Sequence, residues 1–402
     1  MSERMRTNGF AVYRGPGARS SAEGAAARVG RYGRRVELLE DPAPWGAGPD
    51  VVAVLAHSLE GSGTGQLVHG FWERPAERGP ATGEFAFVSR EGGRVLAGRD
   101  AVGTRALYVD DGFSCVASDH RLLPRGSTPA ALPRGTTVDL VSGERLPAPA
   151  QAPKGAVRGF EEEADALGRL LVEAVARRAT GARRVAVSFS GGLDSSLVAM
   201  IAARHAEVVL CSAFAEGSAD QARTARAAAL LGLEHHGVVL GRDELGADLR
   251  ALDLPFAPGS MDRALWCLYS CTSRTASENG AGMILLGQLA DELFGGYMKY
   301  AVCARESAPA AVAMMEGDVA SAERGFLRDE LACSRFAEVR FPFADQAVVD
   351  LALALPLSYK IRGDERKAIL RMAARRLGLP DELASAPKKA AQYSSGLSKL
   401  VG

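Results

Sequence analysis

A chain of 402 residues is long enough for two or three domains at roughly 100–200 residues each. With 47% apolar and 24% charged residues it can bury a substantial core, which excludes disordered and fibrous classes. Its 48 basic and 48 acidic residues cancel, so no overall basic field draws nucleic acid or an acidic membrane, and any polyanion site must be local.

In chain order, the first part shows short apolar alternations broken by glycine turns, as in Gly83-Glu-Phe-Ala-Phe-Val-Ser, Gly92-Gly93 and Arg94-Val-Leu-Ala-Gly. This predicts an antiparallel, β-rich domain over 1–146. Alternating Pro and Ala over 146–154 suits neither a strand nor a helix interior, and 147–158 is the expected linker. Beyond it, periodicity predicts helices over 161–178, 195–204, 220–231 and 262–278, alternating with strands over 183–189, 208–213, 237–240 and 283–286. Alternation of this kind implies an α/β fold with a doubly wound parallel sheet over 159–402, nearly all helical after Asp291. The chain has no apolar run of about 18 residues, and its first residues lack the apolar core of a secretory signal, so a cytoplasmic location is expected. The six cysteines include no Cys-x-x-Cys pair; Cys267 and Cys271, one helical turn apart, read as buried thiols. His235 and His236 read as structural or solvated.

The strand over 183–189 runs into Ser190-Gly191-Gly192-Leu193-Asp194-Ser195-Ser196 and then directly into a helix. A strand, a Gly-Gly turn and a helix start direct unpaired N–H groups and the positive end of a helix dipole at one point, which suits an anion. Gly191 and Gly192 let the backbone approach phosphate oxygens, and the Ser190, Ser195 and Ser196 hydroxyls add donors. Asp194 would repel bare phosphate, so its presence suggests a divalent cation between them. An ordinary turn with Asp194 and Ser195 as N-caps is the alternative. A second buried strand ends in Gly287-Gln288-Leu289-Ala290-Asp291-Glu292-Leu293-Phe294-Gly295-Gly296-Tyr297. In a parallel sheet both loops emerge at the carboxyl edge, where Asp194 and Asp291 could hold one Mg²⁺ against a triphosphate.

The first loop resembles the pyrophosphate loop of N-type ATP pyrophosphatases. The stretch Asp291-Glu-Leu-Phe-Gly-Gly-Tyr297 is similar to the hallmark of the asparagine synthetase branch, which includes β-lactam synthetases. Glu338-Val-Arg340-Phe-Pro342-Phe343-Ala-Asp345, Arg366-Lys367-Ala-Ile-Leu-Arg371 and Pro387-Lys388-Lys389-Ala-Ala-Gln-Tyr-Ser-Ser-Gly396 follow in that family's order. The resemblance implies an adenine nucleotide α-hydrolase-like fold over 159–402, with ATP and Mg²⁺ as cofactors. It also implies activation of a carboxylate to an acyl-adenylate, pyrophosphate release, and attack by an amine or ammonia. It assigns nucleotide binding to Ser190–Ser196 and Gly287, and metal binding to Asp194 and Asp291. Lys389, with Lys388 as rival, is expected to stabilise the departing pyrophosphate. Glu338 and Arg340 either help order the site or form a structural ion pair.

Gly83–Phe87, Gly98–Gly103, Ala106–Tyr108 and Ala117–Leu123 resemble the scaffold of a class II glutamine amidotransferase, an Ntn-hydrolase-like sandwich. That family's nucleophile is a cysteine after the initiator methionine; here the position is Ser2, and the first cysteine is Cys115. A hydroxyl without an added base is a poor substitute for a thiolate, so the domain is expected to be degenerate and to hydrolyse no glutamine. Ammonia would then arrive free or from a separate subunit. Where asparagine synthetases carry a glutamate, this chain has Gln288, which cannot take the proton of an incoming amine. Glu292, Glu323 and Asp329 are candidate replacements. The expected function is an amide-forming ligase with aspartate as default substrate; an intramolecular cyclase like β-lactam synthetase and a non-catalytic ATP-binding subunit are the alternatives. Expected partners are a small carboxylate and an amine or ammonia, with no nucleic acid or membrane, in a possible homo-oligomer.

Overall fold

The computed structural model describes residues 9–14, 18–30, 36–40, 51–56, 66–73, 82–91, 94–110, 114–124, 126, 130–146, 157–387 and 396–401. The chain divides into two compact units, 1–151 and 152–402.

The first unit holds β1 (Gly9–Arg14), α1 (Ala18–Gly30), β2 (Val36–Glu40), β3 (Val51–Ala56), β4 (Gln66–Glu73), β5 (Thr82–Glu91), β6 (Arg94–Arg99), β7 (Tyr108–Val109), β8 (Cys115–Ala117), β9 (Ala130–Ala131), β10 (Thr137–Asp139) and β11 (Arg145–Leu146). Two sheets form, in the orders β2-β3-β1-β8-β7-β9 and β11-β10-β6-β5-β4. The strand pairs are antiparallel, for example Val12 opposite Ala53 and Val88 opposite Ala97. Every second residue faces inward: Phe10, Val12 and Val116 of one sheet share a core with Ala86, Val88, Val95 and Ala97 of the other. Helix α1 is an element that the expectation of an antiparallel, β-rich domain does not include. The run Arg99-Asp100-Ala-Val-Gly-Thr-Arg105 folds around Asp100, whose carboxylate accepts the backbone N–H groups of Phe85, Val102, Gly103, Thr104 and Arg105. Charge-assisted bonds of this kind pin a loop that has no strand partner of its own.

The second unit begins with α2 (Phe160–Ala179), β12 (Arg184–Ser188), α3 (Leu193–Ala202), β13 (Glu207–Ala215), α4 (Asp220–Leu231), β14 (Glu234–Leu240), α5 (Arg242–Arg250), α6 (Ser260–Glu278) and β15 (Met283–Leu285). There follow α7 (Ala290–Phe294), α8 (Met298–Glu306), α9 (Ala308–Ala320), α10 (Glu323–Cys333), β16 (Glu338–Arg340), α11 (Gln346–Ala354), α12 (Leu357–Lys360), the hairpin β17 (Ile361–Arg362) and β18 (Glu365–Arg366), α13 (Ala368–Arg376) and α14 (Asp381–Ala384). The sheet order is β14-β13-β12-β15-β16, every neighbouring pair parallel. Strand β16 and the small hairpin β17–β18 are the short exceptions to the nearly all-helical reading after Asp291. The Arg340 guanidinium pairs with Glu338 at 2.6 Å on that edge strand, away from the cavity described below.

Strand order reverses between β12 and β15, and at such a switch point two loops diverge to leave a crevice at the carboxyl edge. Fully buried Val185, Ala186, Val187, Ile284 and Leu285 hold these central strands rigid, so the loops that follow them start from fixed positions.

Candidate functional site

After β12 the chain turns through Phe189, Ser190, Gly191 and Gly192 into α3, whose N-cap is Gly192. Gly191 has φ +66°, and a β-carbon there would lie 3.3 Å from Thr224 Cα and Ala227 Cβ of α4. Handedness and packing against α4 thus demand this glycine, independently of any ligand. Ser195 Oγ lies 3.1 Å from Ser190 Oγ and accepts the Ser190 N–H, while Ser190 Oγ accepts the N–H of Gly192 at 3.4 Å. These bonds close the loop into a small ring whose helix-start N–H groups have no intrahelical partner. Ser196, in the first turn of α3, faces inward. It is wholly buried, and its hydroxyl finds no partner and does not reach the cavity. Leu193 is buried too, leaving only its backbone to meet a ligand.

The second loop, after β15, lies against the first. A β-carbon on Gly287 would stand 3.1 Å from Asp194 Cβ. Leu289 follows with φ +78°, which swings Asp291 into the first turn of α7. Leu289 and Lys367 are the two non-glycine residues with positive φ among those described. Such a conformation costs about 1–2 kcal/mol per residue and persists only where the surroundings enforce it.

Lys367 accounts for the second of these. Held at φ +59° between β18 and α13, it is 2% exposed and sends its ammonium between the two aspartates. Nζ donates to Asp194 Oδ1 at 2.8 Å and Oδ2 at 2.7 Å, and lies 2.7 Å from Asp291 Oδ1. Burial pulls its pKa down, but the two carboxylates more than offset this and hold it above the ordinary lysine value. Gly296 makes the contact possible, since a β-carbon there would fall 1.9 Å from Asp291 Oδ1 and 2.4 Å from Lys367 Cε. Arg366 fastens the hairpin to the same glycine through its carbonyl at 2.6 Å.

These loops open into a cavity of about 650 Å³ lined by Ser190, Asp194, Ser195, Gly287, Gln288, Asp291 and Glu292 from the loops and α7. Its opposite wall comes from α6 and α10. There Asp262 accepts from Arg324 Nη2 at 2.7 Å and Arg328 Nη1 at 3.1 Å, and Arg328 Nη2 lies 2.7 Å from Asp329. Burial raises the fully enclosed Asp329 carboxyl to about 6 even beside Arg328. Among the three candidate bases, only Glu292 lines the cavity. Asp329 is enclosed behind Arg328, and Glu323 lies on α10 outside the lining. Burial, and then the charge of Asp291, push the Glu292 carboxyl up, and its Oε1 accepts the Tyr297 hydroxyl at 2.8 Å. Lys388 and Lys389 fall outside the described residues, as does Ser2.

Among the described residues no cluster of three or more His, Cys, Asp or Glu side chains could hold a metal ion by itself. Asp194 and Asp291 nonetheless converge on a single cationic atom. Two carboxylates facing one point fit Mg²⁺, which takes one or two protein carboxylates and completes its shell with water and phosphate oxygens. The thiols of Cys267 and Cys271 are pushed up by burial to about 12 and about 11, in keeping with inert core residues. No helix among the described residues is long and apolar enough to cross a membrane.

The family model "Asparagine synthase" matches residues 166–337 and 312–400. A Methanocaldococcus jannaschii protein named "Putative asparagine synthetase 1", described as glutamine-hydrolysing, is 31% identical over 286 residues, which is 61% of this chain and 52% of that protein. The glutamine-hydrolysing asparagine synthetase of Cricetulus griseus is 28% identical over 369 residues, 79% of this chain and 64% of that one. This chain therefore spans between half and two thirds of the length of these two relatives. A solved NMN synthetase structure from Francisella tularensis aligns with a TM-score of 0.33 and 11% identity over 59% of this chain and 77% of that one, a likeness too loose to carry an argument.

Proposed function

The chain belongs to the asparagine synthase family, and from that membership we propose that it is an ATP-dependent amide-forming ligase that releases pyrophosphate and AMP. In the first step a carboxylate oxygen of the substrate attacks the α-phosphorus of ATP, and the bond to pyrophosphate breaks. In the second, the amine nitrogen attacks the activated carbonyl, the bond to AMP breaks and the nitrogen gives up a proton.

The observation that carries this reading is the convergence of Asp194 and Asp291, both lining the cavity beside Ser190 and Ser195, on one cation. The N–H groups of that turn and the Ser190 and Ser195 hydroxyls would receive phosphate oxygens. Bound Mg²⁺ would neutralise charge building on the departing pyrophosphate. Lys367 is placed to add positive charge from the chain itself, and Lys389 or Lys388 would add more. The wall of Asp262, Arg324 and Arg328 would orient the substrate opposite the nucleotide. With Gln288 unable to accept a proton, Glu292 is the cavity carboxylate that would take it from the amine.

We read 159–402 as a pyrophosphatase-loop synthetase domain of the adenine nucleotide α-hydrolase type, and 1–146 as a degenerate amidotransferase-like sandwich. Cys115, the one cysteine in the sequence of the first unit, is a buried strand residue, which supports ammonia or an amine reaching the site from elsewhere. Ammonia from a separate subunit, a homo-oligomer and a cytoplasmic setting complete the reading. Gln288 favours, as second reading, a cyclase whose amine belongs to the carboxylate substrate itself. Assaying pyrophosphate release with ATP and aspartate, with and without ammonium, tests the primary reading; release that requires a larger amino-bearing acid favours the second.

A further inference from the structure

Asp194 and Asp291 bring two negative charges to one point, and Lys367 returns only one. The ammonium is nearly sealed from solvent, with a side-chain exposure of 3%, so water screens the residual charge poorly. The left-handed backbone of Lys367, the Arg366 bond to Gly296 and the Lys367 carbonyl bonded to the Arg371 N–H at 2.9 Å fix where the side chain starts. The four-carbon stem beyond that point is the only part free to move without breaking the hairpin.

We infer that Lys367 is the resident cation of the Asp194–Asp291 pair: it holds the carboxylates in place in the ligand-free protein and bars free divalent metal, yielding its position only when metal arrives with a nucleotide. The inference rests on the functional reading above for the identity of the ligand, but on geometry alone for the exchange. A lone divalent ion must displace an ammonium already bonded to three carboxylate oxygens. A metal carrying a polyphosphate brings its own anionic oxygens, which accept the released ammonium and remove the cost of leaving it buried and unpaired. Two carboxylates and an ammonium thus form a lock that metal and nucleotide open together.

The test is Mn²⁺ binding to the full chain, followed by electron paramagnetic resonance without nucleotide or substrate. Wild type should bind Mn²⁺ weakly, and Lys367→Met at least about tenfold more tightly, a gain that Lys367→Met combined with Asp291→Asn should abolish. Equal affinity of wild type and Lys367→Met would overturn the inference. If Lys367→Met does not fold without metal, thermal melts decide. Folding restored by Mn²⁺ or by the added Asp291→Asn supports a counter-ion role, and failure of both shows that Lys367 acts through packing instead. Because the titration involves no turnover, a wild type that released no pyrophosphate would remove the ligase reading and leave this result standing.

Discussion

A β-carbon on Gly296 would stand 1.9 Å from Asp291 Oδ1, closer than any non-bonded contact permits. Asp291 can therefore reach Lys367 only because position 296 is glycine. Gly296→Ala should push Asp291 or Lys367 aside, lowering stability by about 1–3 kcal/mol, the usual cost of overpacking. Pyrophosphate release should fall by about 10²-fold or more as the cation site loses its geometry. Thermal melts and initial rates measure the two effects separately.

Asp194→Asn and Asp291→Asn each remove one of the two carboxylates that face the cation. Carboxylate-dependent pyrophosphate release should drop by at least about 10²-fold in each. An Asn variant with undiminished release would show that the cation site lies elsewhere.

Glu292→Gln separates the two half-reactions. It removes the cavity carboxylate that would take a proton from the amine and leaves the phosphate-facing loop intact. Carboxylate-dependent exchange of labelled pyrophosphate into ATP should persist, while amide product falls by about 10²–10⁴-fold. Equal loss of both would place Glu292 in the nucleotide site instead.

Lys360 lines a small pocket with Leu353, Leu355, Leu357, Glu292 and Glu316, and burial brings its pKa down to about 8 against an attractive Glu316. The folded chain thus binds its proton less readily than the unfolded chain, whose lysine keeps 10.5. The penalty is complete below about pH 8 and fades as pH rises toward the unfolded value. Lys360→Met should stabilise the protein at pH 7 by about 1–3 kcal/mol, an advantage that shrinks from pH 8 upward. Melting curves of both proteins across that range check the sign.

The parts that could be read directly from the sequence are those with strong periodicity. The helix Asp220–Leu231 falls on its expected residues, and the alternation of helices with β12, β13 and β15 predicts the parallel sheet. The missed elements give weak signals. Ala18–Gly30 buries, among its described side chains, only the small Ala18, Ala22 and Ala25, a weak apolar stripe among serine, glycine and charged residues, Arg242–Arg250 buries Leu245 and the polar Asp248, and Glu338–Arg340 is too short to show a period. In the site, both aspartates were legible because a carboxylate among glycines demands a counter-charge. The resemblance assigns Lys367 no role, although its position carries a signal. It stands three, four and seven residues before Leu370, Arg371 and Ala374, all buried, so a lysine lies on the apolar face of the helix it introduces. The Asp262–Arg328 wall was not legible, because α6 and α10 meet only in three dimensions.

The reaction proposed for this site joins a carboxylate to the α-phosphorus of ATP. Pyrophosphate–ATP exchange, measured with labelled pyrophosphate across a panel of carboxylic acids and amino acids in the presence of Mg²⁺, tests it most directly. Exchange should depend on one class of acid, and AMP should form on addition of an amine. Absence of exchange with every acid, or formation of ADP and phosphate in place of AMP, would contradict the proposed reaction.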